Sequence, residues 1–149
     1  MLSQTAQYAL RAMVHLARED GTGEMLQAEQ IARALDVPRN YLSKILHALA
    51  RQKLLDSTRG PRGGFSLSAP PEKIPLARII EVFDPQLLAE DRRCLLGREV
   101  CSDSDPCAAH AHWKQVSASV REFFGGTTLG DLVHGTVDPS VMGMGGSEG

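Results

Sequence analysis

The chain has 149 residues, of which 42% are hydrophobic and 23% are charged, an ordinary soluble composition that is sufficient for one buried core. It contains no apolar run near the roughly 20 residues needed to cross a bilayer and no pattern of a secretory signal, so we expect a cytoplasmic protein without membrane contact. The net charge of −2 is unevenly distributed, since residues 1–62 carry nine Lys or Arg against six Asp or Glu, and a local basic face suits a nucleic-acid partner.

Three helices are predicted before residue 53. Apolar residues recur at spacings of three and four over residues 4–18, which predicts an amphipathic helix. A short helix is predicted over residues 27–35, and Pro38 fits the first turn of a third helix that runs to about Gln52. Two short helices joined by a tight turn, with a basic outer face on the second, are typical of a helix-turn-helix.

A β-hairpin is predicted directly after the third helix. Residues 54–57 and 65–68 have the composition of short strands, and two arginines lie in the turn between them, Thr58-Arg59-Gly60-Pro61-Arg62-Gly63-Gly64. A hairpin in this place is a wing. With a helix over residues 76–83, the sequence predicts a winged helix-turn-helix DNA-binding domain over residues 1–84, in a mainly α fold.

The C-terminal part is predicted to dimerise. Residues 85–106 show neither helical nor strand periodicity and are predicted to form a loop that carries cysteines. A long helix is predicted over residues 107–124, and it carries a coiled-coil-like seam of Trp113, Val116, Val120 and Phe123. We expect this helix, with a short turn up to residue 134, to form a homodimer. Residues 135–149 are predicted to be a disordered tail.

The start of the third helix offers side chains suited to the major groove of DNA. Arg39 and Lys44 can contact phosphate or guanine, Asn40 can pair with adenine, and Ser43 can donate or accept a hydrogen bond. A solvated helix face is the alternative for each residue taken alone. The predicted partner is a double-stranded DNA operator, and the predicted contacts are Arg39, Asn40, Tyr41, Ser43, Lys44, Arg59 and Arg62.

The three cysteines are predicted to form a metal or thiol site with a histidine. An odd, clustered set in a cytoplasmic chain argues against structural disulfides. If Cys107 and His110 share the first helical turn, they lie on one face, and Cys94 and Cys101 can fold back onto them. Such a set suits an iron–sulfur cluster, Zn or Cu(I). A reversible Cys94–Cys101 disulfide switch stays open. Nearby Asp103 and Asp105 add negative charge that disfavours thiolates in the absence of metal.

The chain resembles the IscR and NsrR type of iron–sulfur winged-helix repressors over about residues 1–134. The specific combination is the wing Arg59-Gly-Pro-Arg-Gly-Gly-Phe65 followed by three cysteines, and further likeness lies in residues 8–13, 41–46, 79–84, 107–113 and 128–133. The resemblance implies that Asn40, Ser43 and Lys44 face bases and that Arg59 enters the minor groove. Arg62 departs from many relatives, which have glycine there.

The resemblance also implies an iron–sulfur cluster that responds to iron–sulfur supply, oxidants or nitric oxide. Its ligands would be Cys94, Cys101, Cys107 and, as in the IscR branch, His110. The NsrR branch holds a [4Fe-4S] cluster with an N-terminal aspartate, but this chain has Gln7-Tyr8 there, so [2Fe-2S] is favoured over [4Fe-4S]. Six residues separate the first two cysteines, against five in those relatives. The sequence lacks a phosphate-binding loop, paired catalytic carboxylates or a nucleophile with its base, so we do not expect an enzyme.

Overall fold

Six α-helices and one two-stranded sheet make up the fold of the described part of the chain, which comprises residues 2–19, 25–89, 94–99 and 101–135 of a computed structural model. The predicted tail lies outside these residues, Gly135 excepted. The winged helix-turn-helix fold is confirmed. In chain order the elements are α1 (Gln4–Glu19), α2 (Ala28–Leu35), α3 (Arg39–Arg51), β1 (Leu55–Thr58), β2 (Gly64–Leu67), α4 (Leu76–Phe83), α5 (His110–Gly126) and α6 (Leu129–His134).

Helix α1 lies at the centre of the fold and packs against α3, α4 and α6. The hydroxyl of Ser3 accepts a hydrogen bond from the Ala6 N–H at 3.1 Å and so caps the helix. The buried face of the helix is rich in small side chains, which allows neighbouring helices to approach closely: it consists of Ala6, Ala9, Ala12, Met13, Leu16 and Ala17.

The turn between α2 and α3 fixes the angle of the helix-turn-helix. Asp36 ends α2 in the left-handed region at φ 55°, and Val37 is buried and donates to the carbonyl of Ala32 at 3.0 Å. Pro38 then leads into α3, whose inner face buries Leu42, Ile45, Leu46 and Leu49. A single apolar face therefore holds α3 and leaves its other side to solvent.

The wing is an antiparallel hairpin in which Leu55 pairs with Leu67 and Thr58 with Gly64. It is joined to the body by Phe65, which exchanges two backbone hydrogen bonds with Leu26, the residue two positions before α2, at 2.7 and 3.0 Å. These bonds fix the hairpin against the helix-turn-helix.

Helices α5 and α6 belong to the same core as the winged helix. Phe124 and Leu129 are buried in one apolar cluster with Ile74 and Leu76, and Leu129 N–H donates to the carbonyl of Ile74 at 2.8 Å. The C-terminal helices therefore pack directly on α1 and α4. Among the described residues, no helix combines the length and apolarity that spanning a bilayer requires.

The predicted start of the long helix at Cys107 is wrong by three residues. Cys107 lies in a turn, where its carbonyl accepts the N–H of His110 at 3.1 Å, and the helical hydrogen bonds begin with Trp113 N–H to Ala109 C=O at 2.8 Å. Because only His110 belongs to α5, the two residues do not share a helical face. The turn brings them to the site instead.

Candidate DNA-reading surface and metal centre

Two neighbouring elements, the start of α3 and the tip of the wing, carry the predicted DNA contacts. The side chains of Arg39, Asn40 and Lys44 are exposed at the start of α3, and Ser43 is half-buried. The wing arginines are both exposed as well: they are Arg59 and Arg62. The surface required by the sequence prediction is thus accessible in the folded chain.

Tyr41 faces α1, where it anchors α3. Its hydroxyl is hydrogen bonded to the hydroxyl of Thr5, and its ring meets the Tyr8 ring edge-on, with centroids 5.6 Å apart. Arg11 lies over the Tyr8 ring at 5.6 Å and donates to the carbonyl of Leu35 at 2.9 Å. The sequence reasoning missed Thr5, Tyr8 and Arg11 because their partners are distant in sequence.

The wing tip is tied to the start of α2. Nε2 of Gln27 donates to the carbonyl of Pro61 at 3.0 Å, and the N–H of Gly63 donates to the carbonyl of Gly60 at 3.0 Å. These bonds fold the arginine-bearing turn into a compact shape. They hold the turn that carries Arg59 and Arg62 against the start of α2.

The second site gathers the three cysteines. Their sulfur atoms all lie within 4.8 Å of one another, and the sulfurs of Cys94 and Cys107 are 3.5 Å apart. All three are free thiols and half-buried. Nδ1 of His110 lies 3.3 Å from the sulfur of Cys101. The sequence-predicted ligands thus meet in one place, at the N-terminal end of α5.

Backbone amides stabilise a thiolate at Cys94. The N–H groups of Arg98 and Leu96 point to its sulfur, the latter at 3.4 Å, and they lower the pKa of Cys94 to about 7 against the opposing effect of burial. Gly97, at φ 78°, adopts the left-handed conformation that this turn needs, and its N–H donates to the carbonyl of Cys94 at 3.0 Å.

The pKa of Cys101 is shifted in the opposite direction to that of Cys94. The N–H of Cys107 favours its thiolate, but burial and the neighbouring sulfurs of Cys107 and Cys94 outweigh this and raise the pKa of Cys101 above its usual value. Without a cation, the three thiols therefore cannot all ionise easily. A soft metal relieves this repulsion because it bonds to thiolates directly.

Each of the two aspartates of the loop has a cationic partner. Asp105 pairs with Arg98 at 2.8 Å. Asp103 accepts from Lys114 and from Nε2 of His110, each at 2.8 Å, and these bonds, that from Lys114 first, lower the pKa of Asp103. Their charge is therefore largely balanced before any metal binds.

A cavity of about 380 Å³ surrounds the cysteines, and its far side is formed by α5 through Trp113, Lys114, Ser117 and Arg121. The three sulfurs and one imidazole suit an iron–sulfur cluster or zinc by the softness of the donors. His112 is exposed on another face of α5. The site therefore fits the implied group with the predicted residues.

A helix-turn-helix followed by an arginine-tipped wing defines a winged-helix, DNA-binding transcriptional regulator. The chain belongs to the Rrf2 family, described as iron-dependent transcriptional regulators, whose family model matches residues 2–135. This confirms the resemblance seen in the sequence. The related proteins are transcriptional regulators, which also confirms that the chain is not an enzyme.

Individual relatives agree with this assignment. An HTH-type transcriptional regulator of Aquifex aeolicus is 37% identical over 90% of this chain and 92% of the relative. IscR of Sodalis glossinidius is 32% identical over 89% of this chain and 78% of its own. Among solved structures, CymR, the global cysteine regulator of B. subtilis, superposes with a TM-score of 0.75 at 27% identity, covering 93% of this chain and 98% of CymR.

Proposed function

We propose that the protein is a homodimeric, cytoplasmic repressor that binds a DNA operator and senses iron–sulfur status, redox state or nitric oxide. Its sensor would be a cluster, with [2Fe-2S] favoured over [4Fe-4S], held by Cys94, Cys101, Cys107 and His110. One observation carries the proposal: three cysteine sulfurs lie within 4.8 Å of one another, with an imidazole beside them, in the same chain as a winged helix-turn-helix.

The ligand set explains why a cluster, when bound, would be redox-active and tunable. Histidine in place of a cysteine raises the reduction potential of a cluster and links it to proton uptake. The chain contributes amides at Cys94 that favour the thiolate and a half-buried pocket that limits water. Asp103 and Asp105 have their own cationic partners.

DNA recognition is assigned to α3 and the wing. Asn40, Ser43 and Lys44 would face bases in the major groove, with Arg39 on phosphate. Tyr41 would act mainly by holding α3 against α1, since its hydroxyl is already bonded to Thr5. Arg59 would enter the minor groove, and Arg62 would add a phosphate contact. The exposure of these four charged or polar ends supports the assignment: Arg39, Asn40, Arg59 and Arg62.

A physical path joins the two sites. His110 is the first residue of α5, α5 packs on α4, and α4 packs on both α1 and α3. A change in the conformation of residues 94–107 between loaded and empty states would therefore shift α5 against the winged helix. In a two-fold dimer paired through α5, this would change the spacing of the two recognition helices and so the affinity for the operator.

Two alternatives use the same residues. Zinc bound by three cysteines and one histidine would make the site structural. A thiol–disulfide switch is favoured by one observation: Cys94, with a pKa of about 7, lies 3.5 Å from the sulfur of Cys107. The two sulfurs are in van der Waals contact, so Cys94–Cys107 joins Cys94–Cys101 as a candidate disulfide.

Anaerobic purification decides among these possibilities. We expect coloured protein with iron and acid-labile sulfide, and a Cys101→Ala variant that is colourless but folded. Colourless wild-type protein with one zinc per chain would contradict the cluster. Titration of duplex DNA at several salt concentrations tests the other half, since a specific regulator must prefer a selected sequence over random DNA and show a steep salt dependence.

A further inference from the structure

A carboxylate outside the ligand set contacts the imidazole of His110 on the side away from the cysteines. Nε2 of His110 lies 2.8 Å from Oδ1 of Asp103, while Nδ1 of the same ring lies 3.3 Å from the sulfur of Cys101. The second oxygen of Asp103 accepts from Nζ of Lys114 at 2.8 Å. Lys114 follows His110 by one turn of α5, so the cation, the carboxylate and the imidazole form a continuous row.

This row specifies which ring nitrogen carries the hydrogen. An ionised carboxylate only accepts hydrogen bonds, so Nε2 must be the protonated nitrogen of the neutral ring. The lone pair is then on Nδ1, which faces the sulfurs. Histidines that bind metals commonly donate their other N–H to a carboxylate, and this bond fixes both the tautomer and the ring orientation.

We propose that Asp103, held in place by Lys114, is the positioning residue that presents Nδ1 of His110 to the group bound by the three cysteines. The inference rests on the proposed function in one respect, namely that His110 is the fourth ligand. Beyond the proposed function, it specifies that His110 binds through Nδ1 and that Asp103 and Lys114 orient the ring.

The exposure of Asp103 separates this role from a structural one. Its side chain is 72% exposed, whereas that of His110 is only 20% exposed. Exposed ion pairs contribute little to the stability of a fold. Removal of the Asp103 carboxylate should therefore leave folding intact and act on metal binding.

The test uses the full-length, metal-free protein and Co²⁺ alone as a spectroscopic probe of the cysteine–histidine site. We expect Asp103→Ala to bind Co²⁺ about 10- to 100-fold more weakly than wild type. Asp103→Asn keeps an oxygen that can accept the Nε2 hydrogen and should retain most of the affinity. Asp105→Ala is the matched control, because it also removes one loop carboxylate but that carboxylate pairs with Arg98 rather than His110.

A second measurement reads the ligating atom directly. In the Zn²⁺-loaded protein, ¹⁵N NMR of the histidine rings should show metal at Nδ1 and hydrogen at Nε2 of His110, and Asp103→Ala should disturb this pattern. Binding through Nε2 would overturn the inference, and so would wild-type Co²⁺ affinity in Asp103→Ala or an equal loss in Asp105→Ala. The metal-free protein is tested with Co²⁺ whether the group it binds after purification is an iron–sulfur cluster or zinc. The inference and the cluster proposal can therefore fail separately.

Discussion

Oδ2 of Asp84 accepts the backbone N–H of Ser3 at 2.8 Å, although the two residues are 81 positions apart in the sequence. Asp84 is only 4% exposed and ends α4, while Ser3 caps the start of α1. The bond therefore joins the two helices at the point where the chain leaves the winged helix for the cysteine segment.

Replacement of Asp84 by alanine is expected to destabilise the protein by about 1–3 kcal/mol, because it removes a carboxylate acceptor from a part-buried hydrogen bond. Urea unfolding of the metal-free protein measures the change. Glu81→Ala is the control, since Glu81 is an exposed acid on the same helix, and an exposed substitution should stay within about 0.5 kcal/mol. Equal effects of the two changes would contradict a stabilising role of the bond between Asp84 and Ser3.

The attachment of the wing depends on Gly64. This residue has φ 140°, and a Cβ added to it would come within 2.4 Å of the Leu26 carbonyl oxygen. We expect Gly64→Ala to cost about 1–3 kcal/mol for the backbone conformation alone and to weaken DNA binding by displacing the hairpin. Gly125→Ala, which meets open space within α5, should instead be neutral or stabilising by up to about 1 kcal/mol. Unchanged stability and DNA affinity in Gly64→Ala would show that the wing tolerates this shift.

Local patterns predicted the elements well because their causes are local. The predicted helix over residues 76–83 coincides with α4, since Pro75 and a 3.6-residue apolar repeat define it. The two predicted strands lie within one residue of the observed ones, because the glycines and proline of the turn mark where each strand ends. The grouping of the three cysteines could be predicted because few residue types suit a soft metal.

Long-range contacts account for what the sequence did not reveal. Cys107 lies outside α5 because the loop turns its sulfur to Cys94, a contact that helical periodicity cannot encode. Tyr41 has the position of a groove-facing residue, but its partner Thr5 lies 36 residues away. In the sequence Asp103 has no adjacent cation, and only the folded chain shows that α5 places Lys114 beside it.

Arg59 and Asn40 should affect DNA binding in different ways. Arg59→Ala is expected to weaken binding to a selected operator more than to random DNA, because a minor-groove arginine depends on groove width, and to reduce the slope of log K against log salt by about one. Asn40→Ala should keep the slope but lose about 1–3 kcal/mol of discrimination at one base pair. Lys73→Ala, an exposed cation on the turn beside α6, is the control for charge. An unchanged salt slope in Arg59→Ala would show that Arg59 of the wing does not contact the DNA.

The contact between Glu72 and α6 predicts a pH-dependent stability. A backbone hydrogen bond at Glu72 itself, followed by the bond from His134 at 3.3 Å, lowers the pKa of the Glu72 carboxyl. A lowered pKa favours the folded state only while the group is ionised, so this stabilisation is full above about pH 5 and is lost as the pH falls through the folded-state pKa. The Tm of wild type should therefore exceed that of Glu72→Gln at pH 6, and the difference should vanish in acid. If the difference in Tm between wild type and Glu72→Gln did not vary with pH, the loss of stability would arise from packing and not from the charge of Glu72.

The seam on α5 gives the sharpest test of the dimer. Val116 is 47% exposed, whereas Trp113, Val120 and Phe123 are half-buried in the single chain. Burial of a carboxylate at this position in a helix pair would cost several kcal/mol, so Val116→Asp should raise the dimer dissociation constant at least about tenfold. Light scattering over a dilution series measures this. Ala118 is also exposed, and Ala118→Asp adds the same charge about 200° further around the helix, so it should leave the dimer intact. Equal dissociation by both variants, or a monomeric wild type, would exclude pairing through this face.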